Sequence, residues 1–407
     1  MTNALFAAET LVAPAVWEKL RGPWSELLAK QSSTVLDLDV TAGLDWAQVL
    51  WETHLASGPI EVLALHQEGT IQSILPLFRS SKTIRKLPFR GIGLLTELYS
   101  GRSGFLLGDP SAQLLRESLE GICSQTPAWD VFSLTLLQDS PSEKLVETVA
   151  STAGFSLQLI EKQYSPYIPF QKNWAEHFAA LPKKFRSTIR NGEKRLRDRG
   201  QLTYRECLTA DDARDFNSAV LDIERDSWKE AAGTSIAANP VHEAFHRAIT
   251  VRAAERGFFS GHLLLLDGQP IAYVMGLLYN GVFLDLKESY KNSFRETSPS
   301  HVLKNFIFAR LYERGATVFD FMGNCEEYKM KWTDKTYCRN TYLLFSNTLR
   351  GRLAARLSSM GRPSPKSNAP VKNEQSLGNE SKLNGGEIAE ELGRNNDLER
   401  STRTLRS

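Results

Sequence analysis

The most informative part of the chain lies between Lys287 and Trp332. It begins with Lys287-Glu288-Ser289-Tyr290, passes through Ser298-Pro299-Ser300 and ends with Gly323-Asn324-Cys325-Glu326-Glu327-Tyr328-Lys329-Met330-Lys331-Trp332. The middle segment opens a helical pattern, and a strand pattern precedes the last one. A strand that runs into a loop and a helix start can aim free backbone amides at a phosphate. The stretch therefore predicts a site for a nucleotide-bearing cosubstrate.

Composition limits the fold and the classes of function. The chain has 407 residues, 42% hydrophobic and 24% charged, which is enough for two hydrophobic cores. Its formal net charge is +2, so any electrostatic function must come from local clustering. The four cysteines and seven histidines show no metal-ligand spacing, and no GxSxG motif is present. We therefore expect reduced thiols, no metal site, and neither a metallohydrolase nor a serine hydrolase.

The sequence shows no targeting or membrane-spanning segment. Glu9 interrupts the apolar N-terminal residues, and no uncharged run approaches the roughly 20 residues that span a bilayer. We expect a cytoplasmic protein without a transmembrane segment.

The order of predicted elements indicates two α+β units followed by a tail. The second unit, residues 166–358, combines helices, a three-stranded meander and a strand-helix-strand segment around a mixed sheet. The first, residues 1–165, contains a similar hairpin and element order, which favours a tandem duplication. Within it, the Gly- and Pro-containing segment from Lys82 to Gly108 is predicted to be irregular. Residues 359–407 lose apolar content and predict a disordered tail.

Ser298-Pro299-Ser300 is a strong helix start. A serine can cap free amides, and proline at the first helical position has no amide that needs a partner. Val302, Leu303 and Phe306 follow at helical spacing, so the body of the helix is structural while its start can face a ligand. The alternative is an ordinary capped helix with no ligand.

The segment from Lys183 to Arg199 predicts a strongly basic helix. It carries eight basic residues, and Arg186 and Arg190 belong to one stripe along it. Such a stripe is often only a solvated face. It could also clamp a phosphate or another anion of an acceptor substrate, or contact nucleic acid. Because no aromatic residues alternate with the basic ones, stacking on single-stranded nucleic acid is disfavoured.

Two further groups of polar residues are candidates for chemistry. Regular alternation along the strand from Val282 to Glu288 would place Asp285 and Lys287 on one face, which must be a cleft or solvent. The second group, Glu224 to Lys229 around Trp228, is either a surface cluster or part of the same site.

Several motifs in order resemble a known family. They are Glu224-Arg225-Asp226-Ser227-Trp228-Lys229 with Gly233-Thr234, Lys287 to Tyr290, Ser298-Pro299, Phe319-Asp320-Phe321, and Gly323 to Trp332 with its Tyr-Lys-x-x-Trp. Together they resemble the CelD-like acyltransferases of the GNAT type, which are related to the Fem peptidoglycan aminoacyl transferases. Fem proteins have two GNAT lobes and an aromatic-Lys pair at the position of Tyr328-Lys329. The resemblance covers Leu181 to Trp332, and the first half fits only as a degenerate lobe.

The resemblance implies an acyl-CoA cosubstrate, normally acetyl-CoA, and direct transfer to an amine or hydroxyl. In a GNAT lobe the pantetheine arm follows a splayed central strand, here Val282 to Lys287. The pyrophosphate meets the next helix start, here Ser298, Pro299, Ser300 and His301. The usual Gly-rich pyrophosphate loop is absent, and Arg295 to Ser300 stands in its place.

Specific roles follow as hypotheses. Lys329 would stabilise a developing oxyanion or orient the acceptor. Tyr290 or Tyr328 would protonate the leaving thiolate, and Asp285 or Glu224 would be the general base. The residues predicted to bind the acceptor are Arg186, Arg190, Trp228 and Lys229.

The sequence leaves alternatives open for both the acceptor and the acyl donor. Family context implies a small cell-envelope or polysaccharide-related acceptor, a sugar or a lipid-linked molecule, and makes nucleic acid an unfavoured partner. A Fem-like enzyme would instead take its acyl group from aminoacyl-tRNA. A third alternative is a non-catalytic component of a polysaccharide assembly system.

Overall fold

A computed structural model describes residues 7–12, 14, 16–31, 40–53, 60–95, 100–102, 104–109, 111–124, 129–170, 173–360 and 364–369. The first half contains β1 (Ala7–Val12), α1 (Val16–Gln31), α2 (Leu44–Glu52), β2 (Ile60–Gln67), β3 (Thr70–Ile84), β4 (Leu87–Leu94), β5 (Leu106–Leu107), α3 (Ala112–Ser124), β6 (Val131–Leu137) and α4 (Pro141–Ala153). The next part contains β7 (Ser156–Pro169), α5 (Trp174–Ala180), α6 (Lys183–Arg197), β8 (Leu202–Cys207), α7 (Ala210–Arg225), α8 (Trp228–Ala231) and α9 (Pro240–Glu255). The last contains β9 (Phe259–Leu266), β10 (Gln269–Tyr279), β11 (Val282–Tyr290), α10 (Pro299–Glu313), β12 (Val318–Asp320), α11 (Glu327–Met330), β13 (Thr336–Phe345), α12 (Leu349–Ser359) and β14 (Lys366–Ser367).

One large mixed sheet contains two lobes with the same topology. Its strand order is β1-β2-β3-β4-β6-β13-β7-β12-β11-β10-β9-β8. In the first lobe, β1 to β4 are antiparallel neighbours, and β4 then pairs in parallel with β6 after the crossover helix α3. In the second, β8 to β11 are antiparallel, and β11 pairs in parallel with β12 after α10. This repetition confirms the predicted α+β architecture of tandem lobes.

The lobes exchange their last strands at the centre of the sheet. β7 follows the first lobe in sequence but pairs with β12 of the second, and β13 follows the second lobe but pairs with β6 of the first. β7 and β13 also pair with each other. The boundary predicted between residues 165 and 166 lies inside β7, and the division into domains there stays a prediction.

The C-terminal residues that the structure describes contact the same strand. β14 pairs in parallel with β7 at Glu161 and Lys162. The rest of the tail predicted to be disordered, residues 361–363 and 370–407, lies outside the described residues.

One prediction for the first lobe is wrong. The segment predicted to be irregular, Lys82 to Gly108, contains β4, which pairs with β3 along its whole length from Leu87 to Leu94.

A buried ion pair joins the two lobes. The guanidinium of Arg102, in a loop of the first lobe, contacts the carboxylate of Asp320 at the end of β12, and both side chains are buried. The Tyr337 hydroxyl on β13 donates to the same carboxylate at 3.0 Å. The Met322 amide donates to it at 2.8 Å. The pair therefore fixes the chain that leaves β12.

Asp320→Asn is expected to lower the free energy of unfolding by about 3–5 kcal/mol. The change leaves the Arg102 guanidinium buried without its counter-charge, and an uncompensated buried charge strongly destabilises the folded state. Chemical denaturation measures the effect. Arg197→Ala is the matched control, because its pair with Glu193 is exposed and should contribute less than about 1 kcal/mol. Equal losses in both variants would contradict the role given to the buried pair.

Among the described residues, no helix is both long enough and apolar enough to cross a lipid bilayer.

Candidate active site

A β-bulge in β11 determines which side chains share a face. Met275 on β10 lies opposite Lys287, but the next residue, Gly276, lies opposite Asp285. Leu286 is therefore an extra residue with no partner of its own in the register. An extra residue reverses the alternation of side chains beyond it.

The bulge separates two residues that regular alternation predicts together. Asp285 and Glu288 lie on the same side, where Glu288 forms an ion pair with Lys304 of α10. Lys287 lies on the other side, where its ammonium donates to the backbone oxygen of Thr234 at 3.4 Å. The prediction that Asp285 and Lys287 share a face is therefore wrong.

β11 and β12 separate just where Asp285 occurs. Their parallel pairing covers three residues, Val282 to Leu284, against Val318 to Asp320. From Asp285 onward β11 has no pairing to β12, because the chain leaves the sheet after Asp320 through two left-handed residues, Met322 and Gly323. The second lobe thus has a split central sheet, in which β11 has no strand partner on the β12 side from Asp285 onward.

Asp285 is buried at this split without a hydrogen-bond partner. Its side chain is 5% exposed, and neither carboxylate oxygen has a partner among the described residues. Burial, together with the carboxylate of Glu288, raises the pKa of Asp285 to about 7. A carboxyl group with this pKa can both accept and release a proton near neutral pH.

Three ammonium groups surround the two carboxylates. Lys304 is fully buried and pairs with Glu288. Lys229 donates to the backbone oxygen of Glu288, and Lys229 and Lys329 both act electrostatically on Asp285. Although burial opposes it, these ammonium groups hold the pKa of Glu288 below its usual value. Burial lowers the pKa of Lys229.

Lys329 is held by the loop that follows β12. Its ammonium donates to the backbone oxygen of Met322 at 3.1 Å and lies 2.8 Å from a carboxylate oxygen of Glu326. The loop is fixed in turn by Ser165 of β7 and Arg339 of β13, which both donate to the backbone oxygen of Gly323. The exchanged strands therefore position the lysine that the sequence singled out.

Gly323→Ala is expected to impair both stability and turnover. Gly323 has φ +58°, and an added Cβ would lie 3.1 Å from the Lys329 ammonium. Gly315→Ala is the matched control, because Gly315 has φ +72° but nothing within 4 Å of the added atom. Both substitutions should cost about 1–2 kcal/mol of stability, and only Gly323→Ala should also lower kcat, about tenfold or more. Equal kcat values in the two variants would refute the positioning of Lys329 by this loop.

The two candidate proton donors are both phenols that stay protonated at neutral pH. The Tyr328 ring lies 5.2 Å from the Lys304 ammonium and 5.7 Å from that of Lys329. Partial burial and the carboxylates of Glu288 and Glu326 raise the pKa of Tyr328 well above its usual value. Burial also raises the pKa of Tyr290, at the end of β11.

Glu224, the other candidate base, is already fully engaged. One carboxylate oxygen accepts from the Tyr273 hydroxyl at 2.5 Å, and the other accepts from the backbone amide of Ile236. The Lys229 ammonium lies 3.8 Å away. These contacts are typical of a structural carboxylate that orients Lys229 toward β11. Trp228 is half-buried at the start of α8.

The start of α10 differs from its prediction. Pro299 occupies the first helical turn as expected, but Ser298 has φ +50° and its side chain caps no amide. The expectation that Ser298 caps the helix is therefore wrong. Ser300 is half-buried, and the His301 ring packs 4.9 Å from Phe185. Burial lowers the pKa of His301 to about 3, so this imidazole is neutral.

The basic helix α6 packs against this helix start and leaves a cleft beside it. An added Cβ at Gly192 would lie 2.2 Å from the backbone oxygen of Thr297, so glycine permits the close contact. The cleft has a volume of about 290 Å³. It is lined by Lys184, Ser187, Thr188, Asn191, Gly192, Arg195, Glu296 and Ser298. Its two cations, Lys184 and Arg195, outnumber its one carboxylate, Glu296, so the cleft favours an anionic group.

The two arginines predicted to bind an acceptor are not among the residues lining this cleft. Arg190 is exposed, with its guanidinium 5.4 Å from the Phe178 ring centroid. Arg186 is half-buried on the same helix. Their role in acceptor binding stays a prediction.

Sequence reasoning missed Lys304, although a signal was present. Lys304 precedes Ile307, Phe308 and Leu311 at the spacing of one helix face, and all three are fully buried. A lysine at such a position needs a buried counter-charge, and Glu288 supplies it. Among the described residues, no group of three or more His, Cys, Asp or Glu side chains is placed to hold a metal ion.

Comparison with known proteins agrees with this geometry. Residues 183–330 match the acetyltransferase (GNAT) domain family. This range begins with α6 and ends with α11, so the match contains the split between β11 and β12, Asp285 and Lys329. No curated protein sequence matches the chain significantly.

Solved structures show the same fold over most of the chain. FemX is 15% identical, with a TM-score of 0.56 over 85% of this chain and 100% of its own. A conserved protein of unknown function from Bacteroides thetaiotaomicron VPI-5482 is 12% identical, with a TM-score of 0.54 over 80% and 97%. A tandem GNAT protein from the clavulanic acid biosynthesis pathway is 12% identical, with a TM-score of 0.47 over 83% and 98%. Residues 183–330 thus match a GNAT domain, and the chain as a whole shares its fold with FemX.

Proposed function

We propose that this protein transfers an acyl group from acyl-CoA, with acetyl-CoA as the simplest donor, to an amine or hydroxyl of a small acceptor. The observation that supports the proposal most is Asp285. A buried carboxyl group without a partner is costly for a protein, and such groups concentrate where they take part in chemistry. Asp285 lies on the free edge of the split sheet, within the GNAT domain.

The residues around the split fit the proposed donor. The free edge of β11 from Asp285 onward would bind the pantetheine amides, and the cleft between α6 and the start of α10 would hold the phosphates. Lys184 and Arg195 supply the positive charge there, in place of a Gly-rich loop. When bound, the donor supplies an activated thioester carbonyl.

Each remaining step is assigned to a residue of this chain. Asp285 accepts the proton that the acceptor amine or hydroxyl gives up. Lys329 stabilises the negative charge that develops on the carbonyl oxygen, because an ammonium fixed in a buried site needs no reorganisation. Tyr328, which is adjacent to Lys329, or Tyr290 returns a proton to the leaving thiolate. We assign the base to Asp285 and not to Glu224, because both Glu224 oxygens already have donors.

We propose a cell-envelope or polysaccharide-related acceptor, a sugar or a lipid-linked molecule, as the resemblance to CelD-like proteins implies, and we also propose a cytoplasmic site of action. A thiol-release assay with acetyl-CoA against a panel of amino sugars tests this. Acceptor-dependent thiol release that Asp285→Asn abolishes would support the proposal. If no amino sugar of the panel increases thiol release, the proposed class of acceptor is contradicted.

A Fem-like enzyme that uses aminoacyl-tRNA is the second candidate. The observation that favours it is α6, which carries seven basic residues and a single acidic one, Glu193. Replacing acetyl-CoA by aminoacyl-tRNA in the transfer assay separates the two donors. Affinity for tRNA should fall steeply with salt. A non-catalytic assembly component would show no transfer from either donor.

A further inference from the structure

A surface distinct from the candidate active site concentrates exposed apolar side chains. Five large apolar side chains are strongly exposed among the described residues, and four of them lie on α12, its end and the neighbouring β3–β4 hairpin. Leu349 is 88% exposed, Met360 59%, and Leu353 and Leu87 47% each. Water contact of this extent is unfavourable for each side chain, and their grouping indicates a binding surface.

Helix geometry places these side chains together. Leu349, Leu353 and Met360 are four and seven residues apart, so they lie on one face, while Ala354 on the opposite face is fully buried. The β3–β4 hairpin joins the same surface, because Arg85 at its tip donates to the backbone oxygen of Met360. We call the exposed face of α12 with residues 85–87 the α12 patch.

The charge of the α12 patch is entirely positive. α12 contains three arginines and no acidic residue. Arg350 is committed to Asp130, 3.3 Å away. Arg352 and Arg356 are exposed beside the apolar face, and no described acidic side chain forms an ion pair with them. Arg85 and Lys86 add two exposed cations at the hairpin. Because the whole chain has a net charge of only +2, this is a local concentration of charge.

We propose that the α12 patch docks the protein on the surface of a membrane rich in anionic lipids. Outward-facing Leu and Met side chains can enter the headgroup region while flanking arginines meet lipid phosphates, which is the pattern of interfacial amphipathic helices. Nucleic acid would satisfy the arginines but leave the apolar side chains in water. The membrane surface is therefore the partner that uses both features of the patch.

Docking there would leave the candidate active site accessible. β13 leads from the site to the patch. Its first residue, Thr336, pairs with Pro166 beside the Gly323 loop, and three residues separate its last residue, Phe345, from α12. Ten residues of extended strand span roughly 30 Å. The split between β11 and β12 thus lies roughly 30 Å along the sheet from the α12 patch, so a partner bound to the patch does not have to cover the site.

Vesicle co-sedimentation of the full chain tests the proposal. We expect binding to vesicles of 30% phosphatidylglycerol in phosphatidylcholine, weak binding to phosphatidylcholine alone, and loss of binding as salt rises. Leu349→Ser/Leu353→Ser and Arg352→Glu/Arg356→Glu should each lower the partition coefficient tenfold or more. Arg116→Glu/Lys144→Glu on α3 and α4 is the control with the same charge change, and should stay within twofold. Melting curves establish that each variant is folded.

Several results would overturn it. One is absence of binding to phosphatidylglycerol vesicles at low salt, and another is an equal loss in the Arg116→Glu/Lys144→Glu control. A third is an unchanged partition coefficient of folded Leu349→Ser/Leu353→Ser, which would leave the apolar face without a role in binding. A fourth combines two observations: the wild type is a dimer that does not bind vesicles, and Leu349→Ser/Leu353→Ser converts this dimer to a monomer. That outcome would assign the surface to a second copy of the chain.

Discussion

Asp285→Asn is expected to lower kcat/KM by about 10²–10⁴, the usual contribution of a general base. In the wild type, kcat/KM should rise with pH and level off above about pH 7, because only the ionised carboxylate accepts a proton. The variant should lose that ascending limb. Initial rates of thiol release across pH 5 to 9 measure both effects.

The same substitution is expected to stabilise the fold above neutral pH. The native carboxyl retains its proton up to about pH 7, whereas the unfolded chain loses it near pH 4. Between these values the native state binds more protons, so the free energy of unfolding of the wild type falls as pH rises. Asp285→Asn should therefore have the higher melting temperature at pH 8, and the difference should vanish near pH 4.

Glu224→Gln is the matched control for this prediction. It also neutralises a buried carboxylate, but one whose two oxygens accept hydrogen bonds from Tyr273 and Ile236. We expect it to lose stability while it keeps the ascending limb of the pH profile. Loss of that limb in Glu224→Gln and its retention in Asp285→Asn would exchange the two roles.

Lys329→Met is expected to lower kcat by about 10²–10³ with a much smaller change in KM. A fixed donor that acts on developing negative charge contributes to the transition state and hardly to ground-state binding. Methionine keeps most of the side-chain volume, so the variant should fold. Steady-state kinetics at saturating acceptor measure the loss.

Lys331→Met serves as its control. Lys331 is two residues further on and pairs with Glu327 at 3.1 Å in an exposed ion pair. Its removal should change kcat by less than about twofold, because exposed pairs contribute little. Unchanged turnover in Lys329→Met would show that Lys329 has no part in the chemistry.

The sequence was sufficient for the architecture but misleading at β4. Repeated hairpins followed by strand-helix-strand segments predicted two α+β lobes, and the sheet contains both. The glycines of β4 read as loop residues, yet each permits a close contact. An added Cβ at Gly93 would lie 2.6 Å from the Phe78 ring, and one at Gly91 equally close to Ser80 Oγ. Local composition cannot distinguish a glycine that loosens a chain from one that admits a neighbour.

The sequence was sufficient to predict several residues of the candidate site, but not how they are arranged in space. Asp285 and Lys329 were identified because a buried strand and a strand-loop-helix segment carried them. The bulge at Leu286 could not be read from the sequence, because it depends on the register between β10 and β11. The exchange of β7 and β13 depends on contacts between residues far apart in sequence. Ser298 does not cap the helix because it also ends the preceding 3₁₀ turn and has a left-handed backbone, not the extended one that a capping serine adopts.

Calorimetric titration of the full chain with acetyl-CoA tests the central claim most directly. The proposed donor site lies in the second lobe, at the split between β11 and β12, and the first lobe is expected to have none. We therefore expect binding of one equivalent, with the affinity reduced when Lys184→Glu/Arg195→Glu reverses the charge of the cleft at the start of α10. No binding at millimolar acetyl-CoA, or binding unaffected by that variant, would contradict it.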